Sequence, residues 1–359
     1  MRFIPIEIAP CTLRQQKIPS ALYEPMWKRS QHYKILNEPA TVLFVGGGQD
    51  SVALLYMYHY NAAFRQQFVK GHFVCIMADT GAEFPQTMTY VASLRQWCQQ
   101  VGIEFYLITP DMGYHGRTWQ SLSHQMERNN TIMGVGFQKS CTDQLKVQVC
   151  YRFLADWLRQ AYSFKAQGHR VYYEYKAYYG KLVSWIGFAA GEEKRIDKPV
   201  PKKTVPATGV SCVAVGETIP VFEQNLTSAS PSIPVWRQLC VCHEYPLVTL
   251  GMDRAACQQI IAELGHQVPV PSNCMLCPFQ SPAEIVYLYR AFPYTWTYWV
   301  EREQAKLAKF RDKKTNLGVK GKQSLTEYLQ KALLTYGTWS VEELESYRFS
   351  HGHCVMSRY

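Results

Sequence analysis

Three consecutive glycines and a short polar stretch occupy positions 46–51 of the chain. An apolar run at 41–45 precedes them, and a helical spacing of apolar residues begins at Val52. Glycine adopts backbone dihedrals closed to other residues and lets a ligand approach the main chain. The free amides at a helix N-terminus attract anions. We therefore expect a phosphate-binding loop made of Gly46, Gly47, Gly48, Gln49, Asp50 and Ser51.

The acidic residue of this loop needs its own explanation, because a carboxylate repels phosphate. Asp50 can order the loop, cap the following helix or hold a Mg²⁺ ion, and the sequence leaves these roles open. The spacing of the loop matches neither the Walker motif nor the dinucleotide fingerprint. A tight structural turn that uses glycine only for its geometry is the alternative interpretation.

A second chemical signal is the pair Cys274 and Cys277, which are three residues apart and are followed by Pro278. Two cysteines at this spacing can bind one metal centre or form a redox pair. A metal centre needs further ligands, and Cys240 and Cys242 lie upstream as candidates.

The elements that must position these residues alternate between strand and helix patterns. Strands are predicted at 41–45, 72–77 and 104–108, with helices between them at 52–68 and 85–101. This alternation predicts a parallel α/β sheet with helices on both faces. Ligands bind at the carboxyl ends of the strands in such sheets. The glycine loop and Asp79 both fall at these ends.

The rest of the chain divides into further regions. We expect a leader at 1–40, an α/β nucleotide-binding domain at 41–290 and a helical, basic C-terminal part at 291–359. An insertion rich in Pro, Gly, Ser and Thr is predicted near 199–234.

Composition narrows the class of protein. The 359 residues are 47% hydrophobic, and no apolar run approaches the roughly 20 residues of a membrane span. The N-terminus shows no signal-peptide core. We therefore expect a cytoplasmic protein. Twelve cysteines in such a chain favour free thiols or metal ligands over disulfides. The net charge of +10 favours anionic partners.

Five blocks of the sequence resemble the PAPS (3'-phosphoadenosine 5'-phosphosulfate) reductase branch of the PP-loop ATP pyrophosphatases. These blocks are the glycine loop 46–51, 79–85 (DTGAEFP), 139–147 (KSCTDQLKV), 186–196 (IGFAAGEEKRI) and 245–279 (YPL … SNCMLCPF). The resemblance implies an adenine nucleotide α-hydrolase-like fold. It also implies that ATP or a PAPS-like nucleotide binds at the loop and at Asp79.

The chain departs from this family in two places. The family's loop begins with Ser, whereas this chain has Gly46. The reductases carry a catalytic cysteine near the C-terminus in a Glu-Cys-Gly-x-His setting, and the terminal Cys354 stands in a different order of residues.

The resemblance also assigns roles outside the loop. Related enzymes carry a cysteine at the place of Cys141, so the implied metal ligands are Cys141, Cys242 (or Cys240), Cys274 and Cys277. They would hold a [4Fe–4S] cluster, with zinc or no metal as the alternatives. The blocks containing Lys139, Lys146 and Arg195 would face the nucleotide or a sulfur-bearing substrate. We expect Asp50, Lys146 and Arg195 to act in catalysis.

Three functions are consistent with these features. The first is an ATP-dependent enzyme that activates a nucleic acid (DNA or tRNA) or a small molecule for sulfur transfer, with a sulfur donor such as a cysteine desulfurase as partner. The second is a phosphoadenylyl-sulfate reductase that releases sulfite. The third is a non-catalytic nucleotide- or nucleic-acid-binding protein. Seven basic residues against one acid at 306–322 could track a phosphate backbone, or could be a solvated helix face and loop.

Overall fold

The core of the protein is one parallel sheet. The computed structural model describes residues 27–136, 140–196, 233–313 and 315–351, without the side chain of His351. The five strands of the sheet are ordered β3-β2-β1-β4-β5. Their bounds are β1 (Ala40–Phe44), β2 (His72–Ala78), β3 (Glu104–Ile108), β4 (Leu182–Ile186) and β5 (Val241–Glu244).

Helices connect the strands and extend beyond the last one. In the described residues they are α1 (Gln49–Tyr60), α2 (Ala62–Phe68), α3 (Pro85–Gln100), α4 (Leu122–Asn129), α5 (Gln148–Ala161), α6 (Arg170–Tyr179), α7 (Val235–Cys240), α8 (Pro246–Thr249), α9 (Arg254–Glu263), α10 (Pro282–Ala291), α11 (Pro293–Lys309), α12 (Leu325–Tyr336) and α13 (Val341–His351). A π-helical turn at Asp143–Val147 leads into α5.

Apolar side chains are buried on both faces of the sheet. Trp157 and Phe153 of α5 pack on one face. Leu54 of α1, Val91 of α3 and Ile261 of α9 pack on the other face. Parallel strands covered by helices on both faces confirm the predicted fold class.

The last four helices form a third apolar core beside the sheet. Trp299 of α11, Leu325 of α12 and Leu344 of α13 are fully buried there, together with Phe84 from the loop after β2. The α10 and α12 helices begin with capping boxes at Ser281 and Ser324. This core places the C-terminal helices beside the loops at the carboxyl edge of the sheet.

The structure differs from the sequence prediction in local detail. The helix expected at 52–68 breaks at Asn61, whose side chain caps α2 by accepting from the Phe64 amide. The β5 strand was not predicted, because its sequence Val-Cys-His-Glu carries no apolar run. Nearly all of the insertion predicted near 199–234 lies outside the described residues. None of the described helices has the length and apolar character needed to cross a membrane.

Candidate functional site

One cavity opens at the carboxyl edge of the sheet. The glycine loop, the end of β2, the π-helical turn and the segment 271–278 all line it. Residues from the loop after β4, including Gly187 and Arg195, complete its wall. The cavity therefore gathers residues from all five blocks that carry chemistry in the sequence.

The glycine loop is closed by its own hydrogen bonds. Ser51 Oγ accepts from the Gly46 amide at 3.1 Å and donates to the Gly48 carbonyl at 3.2 Å. Gly47 has φ +74°, and a Cβ there would lie 3.1 Å from both Thr87 and Val91. Glycine is required at position 47 because the backbone is left-handed and the space is already filled.

The first turn of α1 faces the cavity. In the described structure Gly48 caps this helix without a side-chain hydrogen bond to the first amides. Amides in this position are donors available to an anion, and the helix dipole adds to the attraction. Gly187 approaches from β4, and a Cβ there would lie 2.8 Å from the Ser51 nitrogen. The close approach of two loops thus shapes the end of the cavity beside the first turn of α1.

Gln49 lies in the loop, but its side chain turns to the scaffold. Its Nε2 donates to the Pro269 carbonyl at 3.0 Å and to the Phe349 carbonyl at 3.3 Å, and its Oε1 accepts from Gln258 Nε2 at 2.9 Å. Its contribution to a ligand would therefore come from its backbone.

Asp50 is held by an arginine that the sequence analysis did not single out. Arg254 Nη2 lies 3.2 Å from Asp50 Oδ2 and 3.3 Å from Glu192 Oε1, and Arg195 Nη1 pairs with Glu192 Oε2 at 2.8 Å. Burial raises the pKa of the Asp50 carboxyl, and the charge and hydrogen bond of Arg254 oppose this rise. Asp50 Oδ1 is buried without a hydrogen-bond partner among the described residues.

Asp79 lies at the end of β2, as expected, but it is not among the lining residues. Its Oδ1 accepts from the Gly81 amide at 2.8 Å, and its carbonyl contacts His115 Nε2 at 2.7 Å. The neighbouring Ala78 and Thr80 line the cavity instead. Asp79 orders the turn beside the site.

Three of the candidate metal ligands line the same cavity: Cys141, Cys274 and Cys277. Cys274 Sγ donates to Glu83 Oε1 at 3.7 Å, and Lys146 Nζ lies 3.2 Å from the same oxygen. Burial is the largest of the effects that raise the pKa of the Cys274 thiol. In the described part of the chain, no three His, Cys, Asp or Glu side chains are already arranged around a metal position.

Cys242 is placed on the other face of the sheet. It pairs with Val183, which belongs to the apolar core facing α1 and α9. Since side chains alternate along a strand, the next residue, His243, points to the cavity face. Cys240 ends α7 and is buried in the core on the α5 side. Neither cysteine is among the residues that line the cavity.

The cavity also contains polar residues that sequence reasoning missed: Arg237, His243, Arg254 and Ser272. His243 Nδ1 lies 2.6 Å from Ser184 Oγ, and burial, with a smaller effect of Arg237, lowers the pKa of His243 to about 4. Arg237 and His243 lie in none of the five blocks. Arg254 and Ser272 lie in the block 245–279, but residue type and spacing alone did not single them out.

Two of the basic residues near 306–322 are used inside the fold. Lys306 Nζ donates to Asn316 Oδ1 and to the Leu317 carbonyl at 2.8 and 2.7 Å. Lys320 Nζ donates to the Pro278 carbonyl at 2.7 Å. A phosphate-tracking surface there would depend on the exposed cations: Lys309, Arg311, Lys313 and Lys322. Lys139, Lys314 and Cys354 lie outside the described residues.

Comparisons with known proteins gave one similar structure. The chain matches no protein-family model and no curated protein. The solved structure is the U34-tRNA thiolase NcsA from Methanococcus maripaludis with its [4Fe-4S] cluster. The TM-score is 0.32 and the sequence identity 12%, over 83% of this chain and 82% of that chain.

Proposed function

We propose that the protein is an ATP-dependent enzyme of the PP-loop ATP pyrophosphatase kind that activates a substrate for sulfur transfer. The observation that carries this proposal is that the glycine loop and the three cysteines Cys141, Cys274 and Cys277 line one cavity. A nucleotide held at the loop and a metal centre held by the thiols would then act on the same substrate.

The charges around the cavity support binding of a polyphosphate. The side chains of Lys146, Arg195, Arg237 and Arg254 all line it. Arg and Lys bind phosphate through charge-assisted hydrogen bonds. The amides at the start of α1 would hold the anion, and Lys146 and Arg195 would neutralise charge on it.

Asp50 would hold a Mg²⁺ ion through Oδ1. Its buried oxygen lacks a hydrogen-bond partner among the described residues, while Arg254 holds the other oxygen. A buried carboxylate oxygen without a partner is costly. Carboxylate oxygen is also the ligand that Mg²⁺ prefers, and the ion is bound by few carboxylates together with substrate phosphates.

The reaction would proceed by adenylation. A substrate oxygen attacks the α-phosphorus of ATP, pyrophosphate leaves, and a sulfur nucleophile then displaces AMP. Cys141, Cys274 and Cys277 would hold a [4Fe–4S] cluster, whose chemistry when bound is to present sulfur. Thiolate sulfur suits both this cluster and zinc. The acceptor would be DNA, tRNA or a small molecule, and the sulfur would come from a donor such as a cysteine desulfurase.

The proposal is tested by assaying anaerobically purified protein with Mg-ATP, and separately with PAPS plus a thiol reductant. Pyrophosphate release from ATP that depends on a candidate acceptor supports the proposal. Sulfite release from PAPS would show a sulfonucleotide reductase instead. If the nucleotide binds and neither product forms, the protein is non-catalytic.

The matched variants are Asp50→Asn and Asp111→Asn. The Asp50 side chain is half-buried in the cavity wall, whereas Asp111 is exposed in the turn after β3. The proposal requires that Asp50→Asn abolish pyrophosphate release and that Asp111→Asn leave it unchanged.

A further inference from the structure

Ser272 occupies the space beside Gly46 in the glycine loop. This chain has glycine where the resembling family begins its loop with serine. A Cβ built on Gly46 would lie 3.3 Å from Ser272 Oγ. A Cβ on Gly48 would lie 2.8 Å from the same oxygen and 3.0 Å from the Ser272 amide nitrogen. Glycine at both positions lets Ser272 reach the loop.

The segment that carries Ser272 is held on both sides. Gln49 Nε2 donates to the Pro269 carbonyl at 3.0 Å. Arg348 Nη2, which is buried, donates to Asn273 Oδ1 at 2.8 Å, and Asn273 Nδ2 donates to Glu284 at 2.7 Å. These bonds hold the segment on both sides of Ser272, so the hydroxyl is held over the glycine loop at little cost in entropy.

The Ser272 side chain is also part of the cavity wall. A serine hydroxyl is a rotatable donor, and its bond to an ionised phosphate oxygen is stronger than a bond between neutral groups. From this geometry we infer that Ser272 donates its hydroxyl to the phosphates of the bound nucleotide, in place of the serine that the loop lacks at Gly46. The inference rests on the proposed nucleotide binding and assigns one of its ligands.

The first test removes the hydroxyl. A hydrogen bond to a charged group contributes about 1.5–3 kcal/mol, so Ser272→Ala should raise the Kd for Mg-ATP by roughly 10- to 100-fold. The affinity for adenosine, which carries no phosphate, should stay unchanged. The control is Ser93→Ala, whose serine is exposed on α3 and donates to the Thr89 carbonyl of its own helix.

The second test moves the hydroxyl. Gly46→Ser alone places its Cβ 3.3 Å from Ser272 Oγ, which is tighter than ordinary van der Waals contact. In the Ser272→Gly background that oxygen is gone, and the new serine at position 46 has room. We expect Ser272→Gly to weaken Mg-ATP binding and the double variant Gly46→Ser/Ser272→Gly to recover most of the loss.

The outcomes separate this inference from the proposed function. If the wild-type protein binds no Mg-ATP, both fail. If the wild type binds Mg-ATP and Ser272→Ala binds it equally well, the inference alone is overturned. An equal loss of ATP and adenosine affinity also overturns it, because the hydroxyl would then act on the fold and not on phosphate. Selective loss with recovery in the double variant supports it.

Discussion

Arg254 Nη2 lies 3.2 Å from Asp50 Oδ2, while Oδ1 of the same carboxylate has no hydrogen-bond partner in the described parts of the chain. The same guanidinium also contacts Glu192 at 3.3 Å. Arg254 of α9 therefore balances the charge of two carboxylates. It leaves the buried oxygen Oδ1 of Asp50 for another ligand. This arrangement links the glycine loop to the loop after β4.

Replacement of this arginine should weaken nucleotide binding. Arg254→Met leaves Asp50 and Glu192 without their shared cation in the cavity that we propose binds the nucleotide. We expect the Kd for Mg-ATP to rise by roughly tenfold, or about 1.4 kcal/mol, measured by isothermal titration calorimetry. The exposed Arg95 of α3 provides the control Arg95→Met. Unchanged affinity in Arg254→Met would contradict this assignment.

Lys146 should stabilise the fold through Glu83. The two side chains are 3.2 Å apart, and the Glu83 side chain is 0% exposed. Lys146→Met leaves a buried carboxylate without its cation, so the free energy of unfolding should fall by about 3 kcal/mol in urea titrations. The double variant with Glu83→Gln should recover part of this loss. Strictly additive losses would show that the pair is not coupled.

The iron content of cysteine variants should show which cysteines bind the metal. Serine substitution of Cys141, Cys274 or Cys277 should lower the iron and acid-labile sulfide bound per protein, because these thiols line the cavity. Cys242→Ser should retain the metal, since Cys242 lies on the opposite face of the sheet. Loss of iron in Cys242→Ser would restore the four-cysteine site that the sequence favoured. If the protein binds zinc and no acid-labile sulfide, the site is a zinc site and not an iron–sulfur cluster.

Stability in acid should depend on Glu104. Burial alone would raise the pKa of its carboxyl, but the nearby His72 imidazole, hydrogen bonds from Arg29 and Trp157 and the charge of Arg29 outweigh burial and lower it. A lowered folded pKa gives stability that is present above the unfolded value of 4.5 and is lost as pH falls through the folded pKa. In Glu104→Gln, the free energy of unfolding should decrease less steeply as the pH falls below about 4.5. Glu301→Gln, at an exposed site, should not change the dependence of the free energy of unfolding on pH.

A methyl group on Gly187 should disturb the end of the cavity beside the first turn of α1. Its Cβ would lie 2.8 Å from the Ser51 nitrogen and 3.0 Å from the Ser51 Cα, so the backbone must shift. We expect Gly187→Ala to lower stability by about 1–3 kcal/mol and to weaken Mg-ATP binding. Gly116→Ala, whose Cβ would lie 3.6 Å from Trp119, is the matched control. Thermal shift with and without Mg-ATP measures both effects.

The sequence by itself determined three strands of the sheet and the edge at which the glycine loop lies. Apolar runs separated by helical periods predicted β1, β2 and β3, because buried parallel strands have a strong local signature. The position of the glycine loop after β1 then placed it at the carboxyl edge. The short β5 escaped prediction because its edge position leaves three of its four residues only partly buried, so it needs no apolar run.

Only the tertiary structure decided which side chains meet. Cys141 and Cys274 are 133 positions apart in the numbering, yet both line the cavity, whereas Cys242 and His243 are adjacent and point to opposite faces. Likewise Arg254 and Ser272 reach the glycine loop from α9 and the segment before Cys274. Periodicity reports the local conformation of a segment. Contacts between segments depend on how the helices pack against the sheet, and a single sequence does not encode that packing as a readable spacing.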